Sequence, residues 1–162
     1  MRVLLTGASG FIGVPLLKKL SQEGHQVLAL SRSIVTKREN SIEWLGCDLS
    51  SPESYANKVK EFSPEVLIHL AWQDIPNFSL EKSRINLDQS LELISFVIEL
   101  STCRKIIVSG SCFELNQLQG ECSEATEGKV KDHFTWAKNA LYSWLNMMCK
   151  QKDIQLLWMR IF

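Results

Sequence analysis

Arg2-Val3-Leu4-Leu5-Thr6-Gly7-Ala8-Ser9-Gly10-Phe11-Ile12-Gly13 decides the reading of the whole chain. A short apolar run reads as a buried strand; it breaks at glycine, and an amphipathic pattern follows at once. Gly7 lets the chain turn off the strand, Gly10 lets backbone N–H groups approach a pyrophosphate, and Gly13 lets the next helix lie tight on the strand. The start of that helix offers unpaired N–H groups and a positive dipole end to phosphate. A glycine triplet alone is a weak signal. The strand before it and the helix after it favour a phosphate cradle over a purely structural turn.

Working outward, the first helix is predicted from about Phe11 to Glu23, with Ile12, Leu16, Leu17 and Leu20 inward and Gly24 as its stop. Gln26 to Ser31 reads as the second strand. Ser31-Arg32-Ser33 follows it, and Arg38 lies in the polar loop beyond. In sheets that bind dinucleotides, this strand end faces the adenosine ribose. A carboxylate there holds the 2′-hydroxyl of NAD, and an arginine suits the extra phosphate of NADP. The acid is absent here and Arg32 is present, which favours NADP over NAD; an ordinary solvated loop charge is the alternative. Ser41 to Gly46 reads as a third strand, followed by Cys47-Asp48-Leu49. Asp48 either accepts from an adenine amino group or helps start the next helix, about Pro52 to Phe62, where residues 50–54 carry several possible caps.

Val66 to Trp72 is nearly all apolar, as a strand covered on both faces should be. His69 within it reads as a core histidine with a backbone partner. A long helix from about Leu80 to Ser101 follows, with Asn86 near its start placed to face the strand ends. Strand five is Lys105 to Ser109; a polar stretch leads to a helix from about Phe134 to Lys150; strand six is Ile154 to Phe162. Six strands joined by long crossovers imply a doubly wound parallel α/β (Rossmann) sheet in the order 3-2-1-4-5-6, one domain over residues 1–162.

The bulk properties fit. The chain has 162 residues, 45 % of them apolar, and 18 basic groups balance 18 acidic ones. That length suffices for a domain burying about two-thirds of its unfolded surface. The balance gives no reason to expect nucleic acid or an anionic membrane as partner. No apolar run approaches the roughly 18 residues of a membrane span. The five cysteines form no CxxC pair and read as reduced thiols of a cytoplasmic protein. No metal-ligand spacing is present. The sequon match at Asn77-Phe78-Ser79 reads as chance.

Four stretches carry a resemblance across nearly the whole chain: Thr6 to Gly13, Cys47-Asp48-Leu49, Ile68-His69-Leu70-Ala71-Trp72, and Ser109-Gly110-Ser111-Cys112-Phe113-Glu114. The chain resembles the extended short-chain dehydrogenases/reductases, the NAD(P)-dependent epimerase/dehydratase group that remodels nucleotide sugars. The last two stretches are similar to 4-ketoreductases and epimerases serving surface-polysaccharide synthesis. The resemblance implies cofactor contacts at Gly7, Ser9, Gly10, Phe11, Ile12, Gly13, Asp48, Leu49, Leu70, Ala71, Trp72 and Lys138. It implies that Ser111 orients the sugar keto or hydroxyl group, and that a nucleotide sugar is the substrate class.

The family's proton donor is a tyrosine four residues before a lysine, a spacing that puts both on one helix face. Here Lys138 is present and Phe134 stands at the tyrosine position. General acid–base help is worth about 10²–10⁴-fold, so weak or absent catalysis is expected. Two neighbours are candidates to replace it, Glu114 and His133, the latter pointing about 100° round the helix; Tyr142, about two turns on, is too far. Leu115-Asn116 stands where relatives carry tyrosine and glycine, and Met159-Arg160-Ile161-Phe162 resembles the point where relatives continue into a cofactor-closing loop and a substrate domain. The sequence therefore reads as a cofactor-binding domain without that substrate domain. An active oxidoreductase or epimerase, and a scaffold that keeps only the fold, are the other readings. An apolar sixth strand at a sheet edge also predicts self-association.

Overall fold

The computed structural model describes residues 1–33, 41–115, 123 and 128–162. Arg38 and Asn116 lie outside the described residues. Six parallel strands form one sheet in the order β3-β2-β1-β4-β5-β6, as the alternation of strand and helix patterns predicts. The strands are β1 (Arg2–Thr6), β2 (Gln26–Ser31), β3 (Ile42–Gly46), β4 (Val66–His69), β5 (Lys105–Ser111) and β6 (Gln155–Ile161). The helices are α1 (Gly13–Gln22), α2 (Ala56–Phe62), α3 (Leu80–Glu99) and α4 (His133–Gln151).

Side chains alternate across the pleat, so β1 feeds two cores. Val3 and Leu5 pack with Val27, Ala29 and Ile68 against Leu17 of α1. Leu4 packs with Leu28, Leu67 and Ile106 against Leu93, Ile94 and Val97 of α3 and Leu141 and Leu145 of α4. Cover is uneven on the α1 side. Ile107 pairs with Leu157 on the edge strand β6, and Leu157 is 50 % exposed.

Several boundaries differ from the sequence reading. Helix α1 starts at Gly13 rather than Phe11, because Gly10 N–H closes a turn onto the Gly7 carbonyl at 3.0 Å and residues 11 and 12 complete the turn. The segment 52–62 divides into a 3₁₀ turn at Pro52–Ser54 and α2, and no side chain caps either piece, so the expected caps among residues 50–54 are not used as such. Strand β4 ends at His69, not Trp72, because its neighbour β1 ends opposite it at Thr6. Strand β5 runs on to Ser111, paired along its length with β6. Helix α3 ends at Glu99, and Ser101 beyond it takes a positive φ of 58°. The carboxyl ends of β1, β2, β4 and β5 thus open on one side of the sheet, where the strand order reverses and ligands bind in such folds.

Candidate functional site

Two adjoining cavities, of about 230 and 310 Å³, form a cleft along these strand ends. Gly7, Gly10, Leu70 and Trp72 line both. Backbone builds the shared centre. Gly7 has φ of +68°, and a Cβ there would meet Ala71 N at 2.9 Å. A Cβ on Gly13 would fall on the Gly7 carbonyl oxygen, so helix α1 seats on the loop only with glycine at that position. The N–H groups of Phe11 and Ile12 have no hydrogen-bond partner among the described residues. A tight turn, a close helix and free amides make an anion cradle.

The smaller cavity lies between the β2 and β3 ends and the segment after β4. Ser31 Oγ donates to Ser9 Oγ at 3.0 Å and fixes the loop against β2. Arg32 is exposed; its Nη1 lies 3.4 Å from Gln73 Oε1. Asp48 Oδ1 accepts from Ser50 N at 2.9 Å and Ser50 Oγ at 2.8 Å, and these bonds hold its carboxyl below the usual range. Its other oxygen has no partner among the described residues, so the turn role and an adenine-facing role are compatible. Burial, with Asp48 adjacent, pushes the Cys47 thiol up to about 11. Leu49 and Ala71 complete this half.

The wall after β4 is held by a buried polar chain. The Ala71 N–H donates to Thr6 Oγ1 at 3.2 Å, and Thr6 Oγ1 lies 2.9 Å from His69 Nδ1. His69 Nε2 lies 3.0 Å from Ser90 Oγ, which itself donates to the Asn86 carbonyl at 2.6 Å. With that hydroxyl proton committed, Nε2 carries the imidazole proton and Nδ1 accepts. Burial lowers the His69 pKa to about 3, so the ring is neutral. It is a core histidine as expected, but its partners are two hydroxyls and not the backbone. Asn86 does face the strand ends: its side chain accepts from Gln73 N at 2.7 Å and donates to Gln73 O at 3.1 Å.

The larger cavity contains the lysine. Asp132 caps α4, its Oδ1 accepting from Thr135 N at 2.7 Å, and this sets Phe134 and Lys138 one turn apart on the buried face. Lys138 is 3 % exposed. Its Nζ donates to the Ser109 carbonyl at 2.8 Å and sits 3.7 Å from the centre of the Trp72 ring. Burial brings its pKa down to about 7, against a smaller pull from Glu114. Phe134 is 3 % exposed, stacks on Phe78 at 4.7 Å and meets Trp72 edge-on at 5.7 Å. Ser111 also lines this half; its hydroxyl accepts from Phe113 N at 3.2 Å. Glu114 is buried and turned to structure, accepting from Ser111 N at 2.7 Å and Trp158 Nε1 at 2.9 Å. His133 is exposed, and Tyr142 packs on Trp158. Neither lines the cleft. Among the described residues there is no cluster of three or more potential metal ligands, and no helix is long and apolar enough to cross a membrane.

Residues 3–162 match the model of the NAD dependent epimerase/dehydratase family. The chain belongs to that family. A dTDP-6-deoxy-L-talose 4-dehydrogenase (NAD(+)) from Aggregatibacter actinomycetemcomitans is 26 % identical over 169 residues, which take in 100 % of this chain and 61 % of the relative. A probable UDP-glucuronate 4-epimerase of Rhizobium meliloti is 31 % identical over 104 residues, 56 % of this chain and 30 % of its own. In fold, a Thermus thermophilus UDP-glucose 4-epimerase solved with NAD superposes with a TM-score of 0.83 at 22 % identity, over 99 % of this chain and 54 % of that one. The chain thus covers 61 % and 30 % of the length of these two relatives and 54 % of that solved structure.

Every residue to which the family resemblance gave a cofactor or catalytic role, together with Arg32, lines one cavity or the other. Sequence reasoning missed Gln73 and Ser90, the ring of Phe78 stacked on Phe134, and that of Phe113 against Phe78. Ser90 sits one turn after Asn86 on α3, a pairing that only a known partner for His69 would have flagged.

Proposed function

We propose that this chain is the dinucleotide-binding part of a nucleotide-sugar epimerase or reductase, that it prefers NADP(H) to NAD(H), and that proton transfer at its site is weak or lost. Family membership and the glycine cradle support the first part. The relative named as a talose dehydrogenase and the neighbour solved with NAD support the ligand classes. When bound, the nicotinamide supplies or accepts hydride. In this reading the free amides of residues 11 and 12 take the pyrophosphate, Arg32 takes a 2′-phosphate, and Ser111 orients a sugar oxygen.

The observation that carries the last part is Phe134. It occupies the lysine's helix face, one turn before Lys138, with its ring packed among Trp72 and Phe78. A phenyl ring has no proton to give. Glu114 is committed to Ser111 and Trp158, and His133 is exposed.

Trp72 lines both cavities, so cofactor binding is readable in its emission. Titrating NADPH into the chain is expected to quench tryptophan fluorescence saturably and to sensitise nicotinamide emission. A flat titration to millimolar NADPH would favour a fold kept without cofactor binding. Phe134→Tyr then tests the proton donor: appearance of NADPH-dependent reduction of a nucleotide 4-keto sugar would show that only the acid was missing. The exposed Leu157 on the apolar edge strand supports self-association of the chain.

A further inference from the structure

A buried lysine normally has an anionic partner. Lys138, 3 % exposed, makes no salt bridge among the described residues. Its Nζ touches the Ser109 carbonyl at 2.8 Å and the face of the Trp72 ring at 3.7 Å. Neither is a hydrogen-bond donor, so when the amine is neutral its lone pair stays uncommitted. One turn before it, where the family resemblance expects a phenol, Phe134 offers no acidic group. The titratable groups around it are Glu114, which accepts from Ser111 N and Trp158 Nε1, and the neutral His69. The amine lines the larger cavity, about 310 Å³, whose wall is mostly aromatic and aliphatic: Trp72, Phe134, Leu70, Ile75 and Ile161.

We propose that Lys138 is a nucleophile that condenses with small apolar aldehydes entering the larger cavity, forming a reversible imine. A lysine kept out of water among rings is activated because burial disfavours its ammonium form. With its pKa brought down to about 7, about half of the amine is neutral at pH 7. Ser111 Oγ accepts from Phe113 N and keeps its own proton, a donor in the same cavity for the aldehyde oxygen. The Nζ lone pair adds to the carbonyl carbon and makes the C–N bond. The C=O π pair moves to oxygen, which takes one nitrogen proton through solvent. The carbinolamine then loses its hydroxyl and the second nitrogen proton as water, and C=N forms. Nothing is oxidised or reduced, and water is the only other product. The lining selects the aldehyde: a planar or branched hydrocarbon body fits these walls, and a charged one does not. Dinucleotide binding is not required for this step.

The test is reductive trapping on the full chain at pH 7, with benzaldehyde as the probe and cyanoborohydride added to fix the imine as a benzylamine. Peptide mass spectrometry then compares lysines. Lys138 should be benzylated at least about tenfold faster than the exposed Lys18, Lys60 and Lys105, because an ordinary exposed lysine is almost wholly protonated at this pH. The same reaction in urea should erase the difference. Lys138 labelled no faster than the exposed lysines overturns the proposal. A preference that survives unfolding also overturns it, since the cavity would not be its source. Lys138→Met supplies a second reading where it folds: benzaldehyde without reductant should quench tryptophan emission in the parent at least threefold more than in the variant, and equal quenching would speak against a bond at Nζ.

Discussion

Two parts of the cleft sit at the same edge of the same sheet, the glycine loop that both cavities share and the Lys138 wall of the larger one, yet the first is built from backbone and the second from side chains. Around Gly7, Gly10 and Gly13 the binding surface is amide groups and missing Cβ atoms. Around Lys138 it is a lysine, a serine and a group of aromatic rings. A backbone site survives most changes in the residues around it, provided the glycines stay. A side-chain site is altered by one replacement. In the proposed function the first kind is complete here, and phenylalanine stands at the position on which the second would depend.

The strongest way to break the comparison is Gly13→Val. The added atoms fall on the Gly7 carbonyl and must push α1 off the loop. Dinucleotide affinity should drop at least about 100-fold, the scale of two or more lost charge-assisted hydrogen bonds. Circular dichroism should show the sheet and helices retained. Affinity within threefold of the parent would mean that the cradle does not hold the pyrophosphate.

Arg32→Ala tests the smaller cavity on the other side of the glycine loop. NADP⁺ should weaken by about tenfold to hundredfold, the range for losing a hydrogen-bonded charge, while NAD⁺ changes little. Equal losses for both cofactors would return Arg32 to the status of a solvated loop charge.

Asn86→Ala tests the wall after β4 in the smaller cavity. It strips partners from Gln73 N, Gln73 O and Lys82 O. A loss of about 1–3 kcal/mol in chemical denaturation is expected, because partly buried backbone groups lose their partners. A change below 0.5 kcal/mol, on the scale of ordinary surface substitutions, would show that the wall does not depend on it.

How far these parts were legible in the sequence follows from the same contrast. The glycine spacing exposed the cradle because backbone requirements act locally. The end of β4 was hidden because Leu70-Ala71-Trp72 continues the apolar pattern, and only the length of β1 stops the ladder. His69's partners, Thr6 and Ser90, lie 63 and 21 residues away, so no local pattern announces them. That phenylalanine stands four residues before Lys138 was legible at once, and the family resemblance marked that position as one where a tyrosine is expected. The rings that now surround it come from Trp72 and Phe78 on a distant loop, and Glu114's burial depends on Trp158 of β6.

Stability against pH separates the two buried bases. Lys138 falls to about 7 in the folded chain from its ordinary 10.5, so the unfolded chain binds more protons between those values and stability should rise with pH above 7. Lys138→Met should flatten that rise between about pH 7 and 8.5. Nearer pH 9 the buried thiols of Cys47 and Cys149, raised to about 11, act in the opposite sense and stability falls again. His69, lowered to about 3 from 6.5, makes stability fall as pH drops below 6.5. Denaturation midpoints from pH 4 to 10 check both signs, and a Lys138→Met profile parallel to the parent's would contradict the first.

The smallest expected effect is at the edge strand. Leu157→Lys should lower the average mass seen by light scattering at high concentration, through the repulsion of a charged edge. A parent chain that is already a clean monomer would remove self-association from the account.

The most direct measurement is isothermal titration of the purified chain with NADP(H) and with NAD(H). The account predicts micromolar binding, tighter for NADP(H), through the glycine loop and Arg32. Absence of heat up to millimolar cofactor, from a chain shown to be folded, would contradict it.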